Sequence, residues 1–265
     1  MWRAIPLVIA WTLIVSSVLA QSPCTSDANE VVAAIYGQIL ERQPDRGSRI
    51  FMYDIASGRG TVRRNVAEIA LSREHQERFL WPGVAEAAFR ATRNARPDNG
   101  QVEAAVQALS SGRAQLSDVV ASFAADEAMS ATPPIRVLLL YTRLLNREPD
   151  DAAPRYEQVA ERMSISRLAQ LIVQSPEYAE RVGPHGVPKF NPVVTYGAPV
   201  RVLYRHLLGR EPEENGLRGA AEFAAQRGLR ALIPYFLSSE EYMIRFGENR
   251  VPGPGAGSVA YCGPG

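Results

Sequence analysis

Few side chains in this sequence are of a type that does chemistry, and their spacing limits what they can do. Cysteine occurs twice, as Cys24 and Cys262, one near each end of the 265 residues. Histidine occurs three times, as His75, His185 and His206, with no metal-ligand spacing among them or to the cysteines, so structural or exposed roles are expected. Ser238-Ser239-Glu240-Glu241 sets hydroxyls beside carboxylates, but a serine followed by acids is also what the start of a helix requires. No Gly-x-Ser-x-Gly, phosphate loop, HExxH or dinucleotide fingerprint is present. The expected catalytic, cofactor-binding and metal-ligating sets are therefore all none. For the cysteines two readings stay open. An oxidising compartment would join Cys24 and Cys262 in one disulfide, restricting the unfolded chain by about 5 kcal/mol in the loop-entropy picture. Otherwise they are free or intermolecular thiols in the tails.

The elements that would position these residues are those of an ordinary folded chain, 46 % hydrophobic and 22 % charged. A net charge of +1 argues against nucleic acid or an anionic membrane surface as partner. Lys189 is the sole lysine, so nearly every basic group is a guanidinium. The N-terminus reads as a targeting segment: Met1-Trp2-Arg3 carries the charge, Ala4 to Leu19 is apolar, and Val18 and Ala20 suit cleavage after Ala20. Residues 1–20 are thus expected to be a signal peptide, the mature chain to start near Gln21, and the protein to be exported to the periplasm, cell envelope or medium. No membrane span is expected after cleavage; an uncleaved anchor is the alternative.

The remainder is one helical plan written four times. The opening stripe is Val32, Ile35, Tyr36, Ile39 and Leu40 in the first unit, Val137, Leu140, Tyr141, Leu144 and Leu145 in the third, and Val200, Leu203, Tyr204, Leu207 and Leu208 in the fourth. Ala85, Ala88, Phe89, Thr92 and Arg93 form a degenerate second copy. Such i, i+3, i+4 spacing defines helices with one buried face. Each copy ends at a proline corner, at Pro44, Pro97, Pro149 and Pro212. A middle helix follows, closed by glycine turns at Gly58, Gly112 and Gly228 in three units, and then a second stripe, such as Leu229, Leu232, Ile233, Phe236 and Leu237. Ser72, Asp126, Ser175 and Ser239 are expected to cap a short closing helix. Val193 to Tyr196 is the one strand-like run, linkers are expected at residues 81–83, 130–134 and 183–199, and the Gly/Pro-rich tail should be irregular. The expected fold is all-α, about twelve to sixteen helices, with residues 21–130 holding units one and two, 131–252 units three and four, and 253–265 the tail.

Units three and four share a further ending, Arg181 to Pro188 against Arg245-Phe246-Gly247-Glu248-Asn249-Arg250-Val251-Pro252. Leu-Gly-Arg-Glu-Pro at 208–212, Ser-Ser-Glu-Glu-Tyr at 238–242 and this ending together resemble the phycobilisome linker domain, best in the fourth unit. The short form also resembles a helical repeat of exported bacterial proteins. The resemblance implies one or two tandem linker-like domains, non-catalytic, whose task is to hold other proteins in register, as linkers do within rings of pigment-carrying phycobiliproteins. Arg245, Phe246, Gly247, Val251, Pro252 and the corner residue Arg210 are the candidate contacts to a protein partner; packing onto the preceding helix, or local pairing for the arginines, is the structural alternative. Three readings follow: an exported scaffold, a true phycobilisome linker organising phycobiliproteins, or an enzyme or small-molecule binder with a site between repeats.

Overall fold

The four stripes fold as helices because each places apolar residues on one face only, and every member of the complete stripes is buried, from Val32 to Leu208 and from Val62 to Leu237. The computed structural model describes residues 24–93, 97–150, 162–254 and 258–263. The expected signal peptide and the expected middle helix of the third unit fall outside the described residues. The fold is all-α, with strand limited among the described residues to two two-residue segments, Cys24–Thr25 and Ala260–Tyr261.

The opening helices are Ala28–Leu40, Trp81–Thr92, Pro133–Leu144 and Pro192–Leu203, the last continued by a π-helical turn, Tyr204–Leu208. The middle helices are Arg49–Ala56, Asn99–Ser110 and Glu214–Arg227, and the third helices Val62–Ala70, Leu116–Met129, Ile165–Val173 and Leu232–Leu237. Short closing helices start at Arg73, Pro176 and Glu240, where Ser72, Ser175 and Ser239 each accept a bond from the backbone N–H three residues on, all at 3.2 Å.

Several local expectations need correction. Asp126 caps nothing: Leu116–Met129 runs straight through it, because the alanine-rich stretch offers no stop signal. Met129, the matching closing residue, is consequently 58 % exposed. Trp81-Pro82-Gly83 is the first turn of a helix, where a proline costs no hydrogen bond. Val193 to Tyr196 is helical as well, since Asn191 accepts from the Val194 N–H at 2.9 Å and Pro192 opens the helix; these start signals outweigh four residues of β-propensity. The tail is not wholly irregular: the Tyr261 N–H donates to Asn249 O, and the Val251 N–H to Val259 O, each at 2.8 Å.

Packing does not follow sequence order. Val62–Ala70 of unit one lies against Leu232–Leu237 of unit four, while Leu116–Met129 of unit two lies against Ile165–Val173 of unit three. The opening helices of units two and four also touch. The apolar core continues from Ala28 to Val251 without a break at residue 130. The division into 21–130 and 131–252 is therefore one of repeated sequence, not of separate cores. Closure of unit one onto unit four is completed by the termini: Cys24–Thr25 runs parallel to Ala260–Tyr261.

Candidate functional site

The most repeated polar constellation is an arginine clamp. In three units the opening helix ends on a left-handed residue, Glu41 (φ 50°), Asn146 (φ 51°) or Gly209 (φ 63°), which reverses the chain as helix C-termini commonly do. The next residue, Arg42, Arg147 or Arg210, then lies over Tyr36, Tyr141 or Tyr204 at 5.0, 4.9 and 5.1 Å from the ring centre. Each guanidinium forks onto a carboxylate in the first turn of its unit's closing helix, Glu74, Glu177 or Glu241, with Nε–Oε1 at 2.7, 2.5 and 2.5 Å. The remaining Nη1 donates to the carbonyl of Gln43, Glu148 or Glu211. A second arginine one turn on, Arg78, Arg181 or Arg245, joins the same carboxylate. The bonds from Arg42, Arg147 and Arg210 hold the three carboxyls below the usual glutamate value. Such groups stay ionised and paired, so they tie helices together and do not shuttle protons. Unit two has a partial version, Arg93 over Phe89 at 5.1 Å and 3.6 Å from Glu127, which Arg143 of unit three shares.

Only a planar fork can make the carboxylate and carbonyl bonds together while stacking on a ring. Arg147→Lys is accordingly expected to cost about 1 kcal/mol, read as a lower urea midpoint with an unchanged slope. An unchanged midpoint would show that the clamp contributes nothing.

The candidate partner contacts fall into this framework. Arg210 is held by Glu241, and Arg245 by Glu241 at 3.2 Å while stacking on Phe246 at 5.2 Å. Phe246 is buried and meets Tyr242 edge-on at 5.3 Å. Gly247 takes φ 57°, turning the chain, and Val251 and Pro252 are buried, as Val187 and Pro188 are in unit three. The shared ending thus packs inward. Its exposed neighbours are Met243 and Ile244, the latter 76 % exposed.

Sequence spacing gave no hint of one further cluster. His75 Nε2 and His206 Nδ1, from units one and four, approach to 3.0 Å in the interior, with His75 Nδ1 2.9 Å from the Ala70 carbonyl and His206 Nε2 3.3 Å from Glu41. Burial lowers His75 to about 3, and lowers His206 against the pull of Glu41. Geometry orders the protons: His75 donates to Ala70 and accepts from His206, leaving His206 Nε2 without a proton toward Glu41 while both rings are neutral. Any proton the pair gains therefore enters at His206. The two rings are 131 residues apart in sequence, so no local pattern announces them. Beside them a cleft of about 390 Å³ is lined by Gln38, Glu41, Arg205, His206, Arg210 and Glu211. Its charges are mutually engaged: Arg205 meets Glu211 at 3.3 Å, and Gln38 donates to the Arg205 carbonyl at 2.7 Å. His185 is half-buried elsewhere. Among the described residues no cluster of His, Cys, Asp and Glu suited to a metal occurs.

Cys24 and Cys262, distant in sequence, are neighbours. Both are exposed thiols, and the Cys262 N–H donates to Thr25 O at 3.1 Å.

These features define an all-α protein made of a repeated helical unit tied by arginine clamps. Residues 193–254, the fourth unit with its clamp and ending, match the family model described as Phycobilisome Linker polypeptide. The resemblance to phycobilisome linkers is shown over that unit, a narrower span than 131–252. The chain is also similar to two proteins called Phycobiliprotein ApcE. That of Microchaete diplosiphon is 41 % identical over 61 residues, 23 % of this chain and 6 % of the relative. That of a Nostoc species is 43 % identical over 56 residues, 21 % and 5 %. The chain thus spans only a small part of the length of these curated relatives.

Proposed function

We propose that the protein is a non-catalytic helical scaffold that binds and positions a protein partner. The match of residues 193–254 to the linker family carries this reading. The closed clamps support it: their arginines and glutamates are engaged in holding helices, and in the cleft beside His206 Arg205 is paired with Glu211. Phycobiliprotein assemblies are the first partners to test, since the two relatives bear that name. Purified chain should co-sediment with them at physiological salt, and Ile244→Asp, on the exposed face of the closing helix, should weaken the complex at least tenfold. Unchanged binding by that variant would move the contact elsewhere; no binding to any phycobiliprotein would remove light harvesting from the reading.

We further propose export, supported by the charged, apolar and small-residue order of residues 1–20. Among the described residues no helix is long and apolar enough to cross a membrane. Fractionation with N-terminal sequencing decides it: a mature start near Gln21 outside the cytosol supports export, and a cytosolic chain starting at Met1 refutes it and favours an ordinary phycobilisome linker.

A further inference from the structure

The chain has two cysteines among 265 residues, and folding brings them together across 238 positions. Cys24 begins the N-terminal strand and Cys262 directly follows the C-terminal one; the strands pair in parallel, Cys24 with Ala260 and Thr25 with Tyr261. The bond from the Cys262 N–H to Thr25 O extends the ladder past its last pair. The neighbouring Cys24 holds the Cys262 thiol above its ordinary value. Both are exposed, so a soluble oxidant can reach them. The non-covalent hold is slight: two residues per strand, with glycines and prolines in the tail, make a ladder that is marginal alone. Yet it fastens the start of unit one to the end of unit four, the seam where Val62–Ala70 meets Leu232–Leu237.

We infer that Cys24 and Cys262 form an intramolecular disulfide that locks this seam. The oxidant is a disulfide, small or protein-borne. One cysteine thiolate attacks it, forming a mixed disulfide and releasing one thiol. The second cysteine thiolate then attacks the mixed bond and releases the other thiol. The chain loses two protons and two electrons, and the oxidant's disulfide is reduced to two thiols. Constraint on so long a loop acts mainly on the unfolded chain.

The test uses the full purified chain, equilibrated in glutathione buffers from fully reduced to fully oxidised, then alkylated. In oxidised buffer the monomer should weigh two hydrogens less, take up no alkylating reagent, and yield one crosslinked peptide pair holding residues 24 and 262. Its Tm should rise by about 5–15 °C over the reduced chain. Cys24→Ser and Cys262→Ser should each melt where the reduced parent does and show no rise on oxidation. Two alkylated cysteines in oxidised buffer, crosslinks that join separate chains, or a disulfide that leaves the Tm unmoved would each overturn the inference. None of these outcomes depends on whether the chain binds phycobiliproteins.

Discussion

Replacing Gly209 by valine is expected to destabilise the protein by about 3 kcal/mol, more than any clamp arginine. Two costs combine. Gly209 sits at φ 63°, which a β-branched residue strongly disfavours. A side chain there also has no room: a Cβ would lie 2.1 Å from the Gly253 carbonyl oxygen. The tail at Val251 to Gly253 is packed directly over the end of the fourth opening helix, so the collision is backbone against side chain and cannot be relieved by a rotamer. Lifting the tail would break the bonds of the Val251 and Tyr261 amides. Urea unfolding should therefore show a lower midpoint, and hydrogen exchange should show those two amides losing protection ahead of the core. The same substitution at Asn146, left-handed at φ 51° but without this neighbour, should cost less. Equal losses at the two sites would mean that strain alone, without the tail, explains the effect.

The second large effect is a loss of stability in acid. His75 titrates at about 3 in the folded protein against 6.5 when unfolded. The unfolded chain therefore binds a proton that the native chain refuses, so this contribution is complete above pH 6.5 and declines as the pH falls toward 3. By pH 4.5 the loss should reach about 2–3 kcal/mol. The groups facing the pair are Glu41 and Arg205 around His206 and Arg78 near His75. Glu41 favours charging of His206 and Arg205 opposes it, while Arg78 opposes charging of His75. Below pH 4.5 Glu74, Glu177 and Glu241 act in the same direction, because their folded values are depressed and their contribution fades as they take up protons. Urea midpoints from pH 7.5 to 4.5 should fall steadily. His75→Leu, though less stable at pH 7.5 for stranding the His206 Nδ1 group, should lose most of that slope. A parent protein with flat stability over this range would refute the assignment of His75 as neutral.

How much of this could be read from sequence depended on whether the determinant was local. The stripes were legible because amphipathic spacing is a property of consecutive turns, and all five positions from Val200 to Leu208 are buried as expected. The serine caps were legible for the same reason. Asp126 misled because a cap requires the preceding helix to stop, and nothing in Ala124-Ala125 stops it. The carboxylate partners of Arg42, Arg147 and Arg210 stand 30 to 32 residues away, so sequence spacing does not separate a partner contact from a clamp. The histidine pair had no signal at all, since each ring is supplied by a different unit. The apolar ending shows no evident place to pack in sequence; in the fold Phe246 meets Tyr242 of the preceding helix, and the Val251 amide bonds to Val259 of the tail.

The pairing of the first unit with the fourth has a consequence in time. Val62–Ala70 leaves the ribosome early, but the helix that covers it, Leu232–Leu237, is made about 160 residues later. At ordinary synthesis rates that is a wait of roughly 10–30 s. Units two and three can bury their facing helices meanwhile, so the chain is set to fold from its middle outward. The first unit to be made would be the last to be finished.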